Sequence, residues 1–234
     1  MEQLEILKNY LEQSGYENIS YLTDKFSIYY RSLLEWNSKF NLTAITDISD
    51  IQIKHFIDSI AADKFIKDFN NVCDIGCGAG FPGIPLAILN PHVKFTLVDS
   101  VNKKISFINH IISQLNLQNV TALHSRAEDF AKNNFQKFDC GVARAVAPLP
   151  TLAEYIIPLI KINGYFIAYK GKNYQEEIDS ANKIIKILNS RIENIHQYQL
   201  AQDEQRYLIS IKKLGKCPDK YPRGGNKPRL QPIL

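Results

Sequence analysis

Residues 71–83 read Asn-Val-Cys-Asp-Ile-Gly-Cys-Gly-Ala-Gly-Phe-Pro-Gly, a short apolar run that breaks into glycines at alternate positions, Gly76, Gly78 and Gly80. The run has the length and character of a buried strand. The glycines let the chain turn tightly and let a ligand approach the backbone. Pro82 suits the first turn of a helix reaching Leu89. Strand, glycine turn and helix make the opening half of a βαβ unit, so the sheet they start is predicted to be parallel.

Outward from this stretch the same alternation continues. Strands are predicted at 94–99, 120–125, 138–143 and 164–171. Helices are predicted at 102–115, 127–131, 149–160 and 174–188. Two final strands, 191–200 and 206–214, have only a few polar residues between them. They read as a hairpin that puts one antiparallel strand into the sheet. Upstream, apolar residues recur at helical spacing over 2–14, 24–40 and 49–67, the last behind a Ser49/Asp50 start signal. The predicted class is α/β, a mostly parallel seven-stranded sheet with a terminal antiparallel hairpin and an N-terminal helical extension. That is the layout of the class I, Rossmann-like methyltransferases. The expected organisation is a helical extension over 1–68, a core over 69–214 and a basic tail over 215–234.

Composition excludes several classes. The chain has 234 residues, 45% hydrophobic and 22% charged, an ordinary globular balance. No apolar run reaches the roughly 18 residues of a membrane helix. The acidic, amphipathic N-terminus lacks a secretory signal, and the four cysteines show no paired spacing, so a reduced cytoplasmic protein is expected. Cys73 and Cys77 have no second ligand pair nearby, so no metal is expected, and Cys140 reads as a core residue. Nothing in the sequence requires a dimer, so a monomer is expected. The charge distribution is more informative than the net charge of +4. Residues 212–234 carry seven bases and one acid, so the rest of the chain is net negative. Such a segment suits a polyanionic partner.

Asp74 stands two residues before Gly76. A pyrophosphate seated on a helix N-terminus disfavours a neighbouring anion. A carboxylate there suits the amino group and sulfonium of S-adenosyl-L-methionine, which has no phosphate. Asp99 ends the second strand 23 residues after Gly76, where an acid accepts hydrogen bonds from ribose hydroxyls. Ala127, Glu128 and Asp129 follow the third strand and are placed to face an adenine. Gly76, Gly78, Asp74 and Asp99 are thus candidate cofactor residues. Arg144, at the cleft end of the fourth strand, is a candidate for guanine, RNA phosphate or the cofactor carboxylate, or else a partner for Asp74 or Asp139. Lys170, ending the fifth strand, is a candidate phosphate contact. His55 and Asp58 share a helix face and are read mainly as structural. Trp36 and the tyrosines near it read as core.

The chain resembles the glucose-inhibited division protein B family, the 16S ribosomal RNA guanine-N7 methyltransferases. The resemblance rests on LLEWNSKFNLTAITD (33–47), KHFIDSIA (54–61), CDIGCGAGFPGIPLAI (73–88), LVDSVNKKISFI (97–108), SRAEDF (125–130), ARAVAPLPTL (143–152), AYKG (168–171) and KCPDKYPRGGNKP (216–228). It implies an S-adenosyl-L-methionine cofactor contacted by Gly76, Phe81, Ala127, Glu128 and Arg144, and small-subunit ribosomal RNA as substrate. Two positions depart from the family pattern. Ala143 replaces a serine before Arg144, and Gly224 follows Arg223 where the family has a second arginine. Arg223, Lys227 and Arg229 are the tail's candidate RNA contacts. Guanine N7 carries a lone pair and no proton, so its methylation needs positioning and no catalytic base; no catalytic residue is expected, apart from a role for Arg144. The competing readings are a small-molecule methyltransferase of the same fold and a non-catalytic RNA-binding or assembly protein.

Overall fold

The computed structural model describes residues 4–201 and 204–234. Seven strands form one sheet in the order β3-β2-β1-β4-β5-β7-β6. They are β1 (Asn71–Ile75), β2 (Lys94–Asp99), β3 (Val120–His124), β4 (Phe138–Arg144), β5 (Ile160–Lys170), β6 (Ser190–Ala201) and β7 (Glu204–Lys213). β1 to β5 run parallel, and β7 lies antiparallel between β5 and β6. The chain reverses direction across the sheet between β1 and β4, which places the ligand crevice at their carboxyl ends. β1 is buried on both faces from Val72 to Ile75, which explains the apolar Val72, Cys73 and Ile75.

One face is covered by α1 (Glu5–Gln13), α2 (Ile19–Phe40), α6 (Gly83–Leu89) and α7 (Asn102–Gln114). Leu7, Leu11, Phe26, Tyr29 and Leu33 from the N-terminal helices join Leu86, Phe107 and Ile111 in one continuous core. The other face carries α8 (Ala127–Asn133), α9 (Leu149–Ile156) and α10 (Tyr174–Ile187), where Leu152, Ile156, Phe166 and Ile184 pack together with Cys217 and Tyr221 from the C-terminal segment. The segments expected as extension and tail therefore contribute to the two cores that sandwich the sheet. α11 (Lys227–Leu230) ends the fold.

Several boundaries differ from the sequence reading. α2 begins at Ile19, five residues early, and Leu22 in its first turn is buried. The third helical stretch starts one residue earlier than predicted, with Asp47 as its cap. The Asp47 carboxylate accepts from the backbone of Ser49 and Asp50 at 2.9 and 3.0 Å, the role expected of Ser49 or Asp50. That stretch is composite: α3 (Ile48–Asp50), a π-helical segment Ile51–Ile57, then α4 (Asp58–Ile60), with α5 (Asp63–Ile66) after a turn. The α9 helix stops at Ile156 and β5 starts at Ile160, because Pro158 cannot continue an α-helical ladder. Residues 2 and 3 of the predicted first helix lie outside the described residues.

Candidate active site

At the carboxyl ends of β1 to β4 opens a cleft of about 430 Å³. Its floor is the glycine turn. Gly76, Gly78 and Gly80 have φ of 75°, 57° and 95°, the left-handed region that side chains disfavour. The turn is pinned to β2 by the Gly76 and Cys77 amides, which donate to the Val98 carbonyl at 2.7 and 3.2 Å. Asp99 lies beside it. Its Oδ2 accepts from the Gly78 amide and its Oδ1 from the Val101 amide, both at 2.9 Å. These two bonds fix the carboxylate at the cleft wall and leave lone pairs on both oxygens. From behind, the buried Tyr29 hydroxyl donates to the Ala79 carbonyl at 2.5 Å, and its ring stacks on Phe81 with centroids 5.2 Å apart. The helical period that marks Tyr29 as core conceals that it also buttresses the loop.

Asp74 is placed differently from its expected role. It is fully buried and is not among the residues that line the cleft. Its Oδ2 accepts from the Gly83 amide at 2.9 Å, at the start of α6, while its Oδ1 has no partner. Burial pushes its carboxyl up to about 7, against the opposing effect of the Gly83 bond. Asp74 therefore lies behind the cleft wall, and its carboxylate occupies the Gly83 amide, a helix N-terminal donor of the kind a pyrophosphate would use.

Arg144 reaches from the end of β4 across to the π-helical segment. Its Nη1 donates to Asp58 Oδ2 at 2.7 Å and to the Lys54 carbonyl at 2.8 Å, and its Nη2 lies 3.4 Å from His55 Nδ1. Its ion partner is thus Asp58; Asp139 is engaged by Lys161, and Asp74 by Gly83. Tyr198 donates to the other Asp58 oxygen at 2.6 Å. His55 lines the cleft, stacks on Phe81 with centroids 4.5 Å apart, and sits 2.8 Å from Thr43 Oγ1. Burial, and then the Arg144 charge, hold its imidazole down at about 4, so it is neutral at pH 7. Beyond the structural role its helix face implies, His55 is part of the wall.

The opposite wall comes from α8, α9 and the C-terminal segment. Ala127, Glu128, Tyr155, Asn226 and Arg229 all line the cleft. The Glu128 side chain is turned to the tail, where Oε1 accepts from the Asn226 amide at 3.1 Å. Two expected RNA contacts are placed elsewhere. Lys170 is 7% exposed and is held by Glu177 at 2.5 Å and by the Ala147 carbonyl. Arg223 forks onto the buried Glu154 through Nε at 2.8 Å and Nη2 at 2.7 Å. Both are engaged in ion pairs inside the fold, so neither presents a free charge to RNA. Lys227 and Arg229 are exposed. All four cysteines are reduced and buried, Cys140 among them in mid-strand. Among the described residues no group of His, Cys, Asp and Glu is placed to hold a metal ion, and no helix is long and apolar enough to cross a membrane.

These residues fit S-adenosyl-L-methionine. A Cβ built on Gly78 meets no protein atom within 4 Å, so the turn offers bare backbone to a ligand. Asp99 presents acceptors for paired hydroxyls. The helix N-terminus is already taken by Asp74, which leaves it without a free phosphate donor. The cleft volume falls within the range of small-ligand sites.

Comparison with known proteins agrees. The family model for rRNA small subunit methyltransferase G (GidB) matches residues 22–208. The chain is 43% identical over 239 residues to ribosomal RNA small subunit methyltransferase G of Macrococcus caseolyticus, covering all of both chains. It is 44% identical over 229 residues to the protein of that name from Oceanobacillus iheyensis, covering 95% of this chain and 96% of that one. Among solved structures, the O-methyltransferase of Bacillus cereus in complex with SAH superposes with a TM-score of 0.59 at 17% identity, over 90% of this chain and all of the other. A putative rRNA-methylase from Clostridium thermocellum gives a TM-score of 0.52 at 18% identity, over 70% and 98%. At that identity these two likenesses establish the fold alone, that of the Rossmann-like methyltransferases. Sequence and architecture together place the chain in the rRNA small subunit methyltransferase G family.

Proposed function

We propose that this chain transfers the methyl group of S-adenosyl-L-methionine to N7 of a guanine in small-subunit (16S) ribosomal RNA, in the cytoplasm. When bound, the cofactor supplies an electrophilic methyl group on a sulfonium. The glycine turn and Asp99 hold its nucleoside, and Ala127 and Glu128 bound the adenine side. Arg144, clamped by Asp58 and by two backbone carbonyls, marks the β4 side of the cleft, where a substrate base enters. Family membership carries the ribosomal RNA part of this reading. The guanine N7 part is supported by one feature of the cleft. Among the described residues the only imidazole that lines it is His55, which at about 4 is a weak base and is engaged with Thr43 and Arg144. A nucleophile that brings its own lone pair needs no proton removed, so positioning suffices.

The test is methyl transfer to 16S ribosomal RNA and to small ribosomal subunits from cells lacking this protein, followed by mapping of the methylated atom. N7-methylguanine is expected at one site. Product on a metabolite and none on RNA refutes the substrate assignment. Asp99→Ala is expected to weaken S-adenosyl-L-methionine binding at least tenfold by calorimetry; unchanged affinity refutes the role given to that carboxylate.

A further inference from the structure

The C-terminal segment does more than cover a core. From Cys217 to Gln231 it forms a strap over α8 and α9, fixed at several points. Cys217 and Tyr221 are buried. The Arg223 backbone amide and guanidinium both bond Glu154, and Nη2 also donates to the Gln231 carbonyl at 2.9 Å. Thr151 Oγ1 donates to the Pro228 carbonyl at 2.9 Å, and Asn226 is tied to Glu128. So many anchors hold one short helix, α11, in register with the cleft. The only cation that the strap contributes to the cleft lining is Arg229.

Arg229 does not stand there alone. Arg126, just after β3, lines the same cleft and is exposed. The bond from the Asn226 amide to Glu128 brings them to the same wall, since Glu128 stands two residues past Arg126 and Asn226 three before Arg229. Among the described residues neither has a hydrogen-bond or ion-pair partner. The carboxylates around them are engaged elsewhere: Glu128 with the Asn226 amide, Asp129 with Lys132, and Glu154 with Arg223. Two guanidiniums without an ion-pair partner in one cleft lining favour an anion, and their forked donors match phosphate oxygens. Arg126 follows β3, the strand on the far side of β2 from β1 and its glycine turn.

We propose that Arg229 of the strap and Arg126 form a two-guanidinium subsite that receives a backbone phosphate of the RNA substrate at the β3 side of the cleft mouth. The proposal rests on the RNA-methylating reading given above. It assigns the strap a role in substrate binding, with Arg223 and Glu154 acting only to position it.

The experiment measures binding of 16S ribosomal RNA at a series of salt concentrations, with S-adenosyl-L-methionine affinity measured in parallel by calorimetry. Arg229→Ala and Arg126→Ala are each expected to weaken RNA binding about tenfold and to lower the salt dependence by about one released counterion. Arg229→Lys is expected to recover most of the loss. Cofactor affinity is expected to stay within about twofold. Both side chains are exposed, so unchanged melting curves are expected for the variants. RNA affinity and salt slope equal to wild type overturn the subsite and leave the functional reading standing. Loss of cofactor affinity in place of RNA affinity overturns it by assigning the pair to the cofactor. A wild-type protein that binds no RNA overturns both readings.

Discussion

The Arg144 guanidinium and the Asp58 carboxylate form an ion pair 2.7 Å long, with side chains only 11% and 8% exposed. It links the last residue of β4 to the start of α4, just past the π-helical segment that carries His55. Single π-helical turns widen a helix and recur at functional sites. Here the segment turns the carbonyls of Lys54 and His55 toward Arg144. Removing one partner of a buried pair strands the other charge, so Asp58→Ala is expected to destabilise the protein by about 3–5 kcal/mol in urea unfolding. The double variant Asp58→Ala/Arg144→Met is expected to lose less than the sum of the two single variants. Additive losses would show that the two side chains do not depend on each other.

Two buried groups give opposite pH dependences over nearly the same range. His55 is held down at about 4, below its ordinary 6.5. As pH falls from about 6.5 to 4, the unfolded chain binds a proton that the folded chain refuses, and stability is lost. Asp74 is pushed up to about 7, above its ordinary 3.8. Its contribution is complete below about 3.8 and is lost as pH rises toward 7. Each effect is on the order of 3–4 kcal/mol. Wild-type stability attributable to these two groups is therefore expected to be nearly flat between pH 4 and 6.5. His55→Gln should leave a stability that declines with rising pH, and Asp74→Asn one that increases. Denaturant midpoints across that range decide it; the same slope in both variants would refute the assignments.

Gly78 and Gly76 separate the cost of the turn from the cost to the ligand. Both have positive φ, so alanine at either strains the backbone by about 1–2 kcal/mol. At Gly76 the new Cβ would also lie 2.6 Å from Val146 on the cleft rim. At Gly78 it meets no protein atom and projects into open space. Gly78→Ala is therefore expected to lower stability by no more than about 2 kcal/mol and S-adenosyl-L-methionine affinity by more than tenfold. Calorimetry beside thermal unfolding checks it. Affinity that falls no further than stability would mean that the cofactor does not lie against this residue.

Much of this was legible in the sequence because it follows from chain periodicity. The alternation of strands and helices and the missing helix between the last two strands sufficed for the sheet and its one antiparallel strand. The glycine turn and Asp99 declare themselves by spacing along one βαβ unit. What escaped depends on contacts between residues far apart in sequence. Asp74 looks like a ligand group because it precedes the glycines, yet the turn folds back and buries it against Gly83. Lys170 and Arg223 look like free cations, and only the fold brings Glu177 and Glu154 to them. Arg144 meets Asp58 from 86 positions away, across the N-terminal helices. The π-helical widening has no periodic signature in so short a stretch.

The Glu154–Arg223 fork supports a last prediction, about how the C-terminal strap is held. The Glu154 side chain is 1% exposed, and Arg223 supplies three donors to it. A carboxylate so deeply buried is tolerable only while paired. Arg223→Ala keeps the backbone amide bond but removes both guanidinium bonds, leaving most of the charge uncompensated; a loss of about 3 kcal/mol is expected. Glu154→Gln removes the charge instead and keeps the shape, so its loss should be smaller, about 1–2 kcal/mol. The strap's other bonds, Thr151 to Pro228 and Asn226 to Glu128, tie it only to α8 and α9, so the damage should be local. In Arg223→Ala, limited proteolysis is expected to cut between Lys216 and Lys227 before the core opens, and amides of that segment should exchange faster while those of β1 and β4 stay protected. Uniform acceleration of exchange across the sheet would show that the fork stabilises the whole domain and has no special hold on the strap.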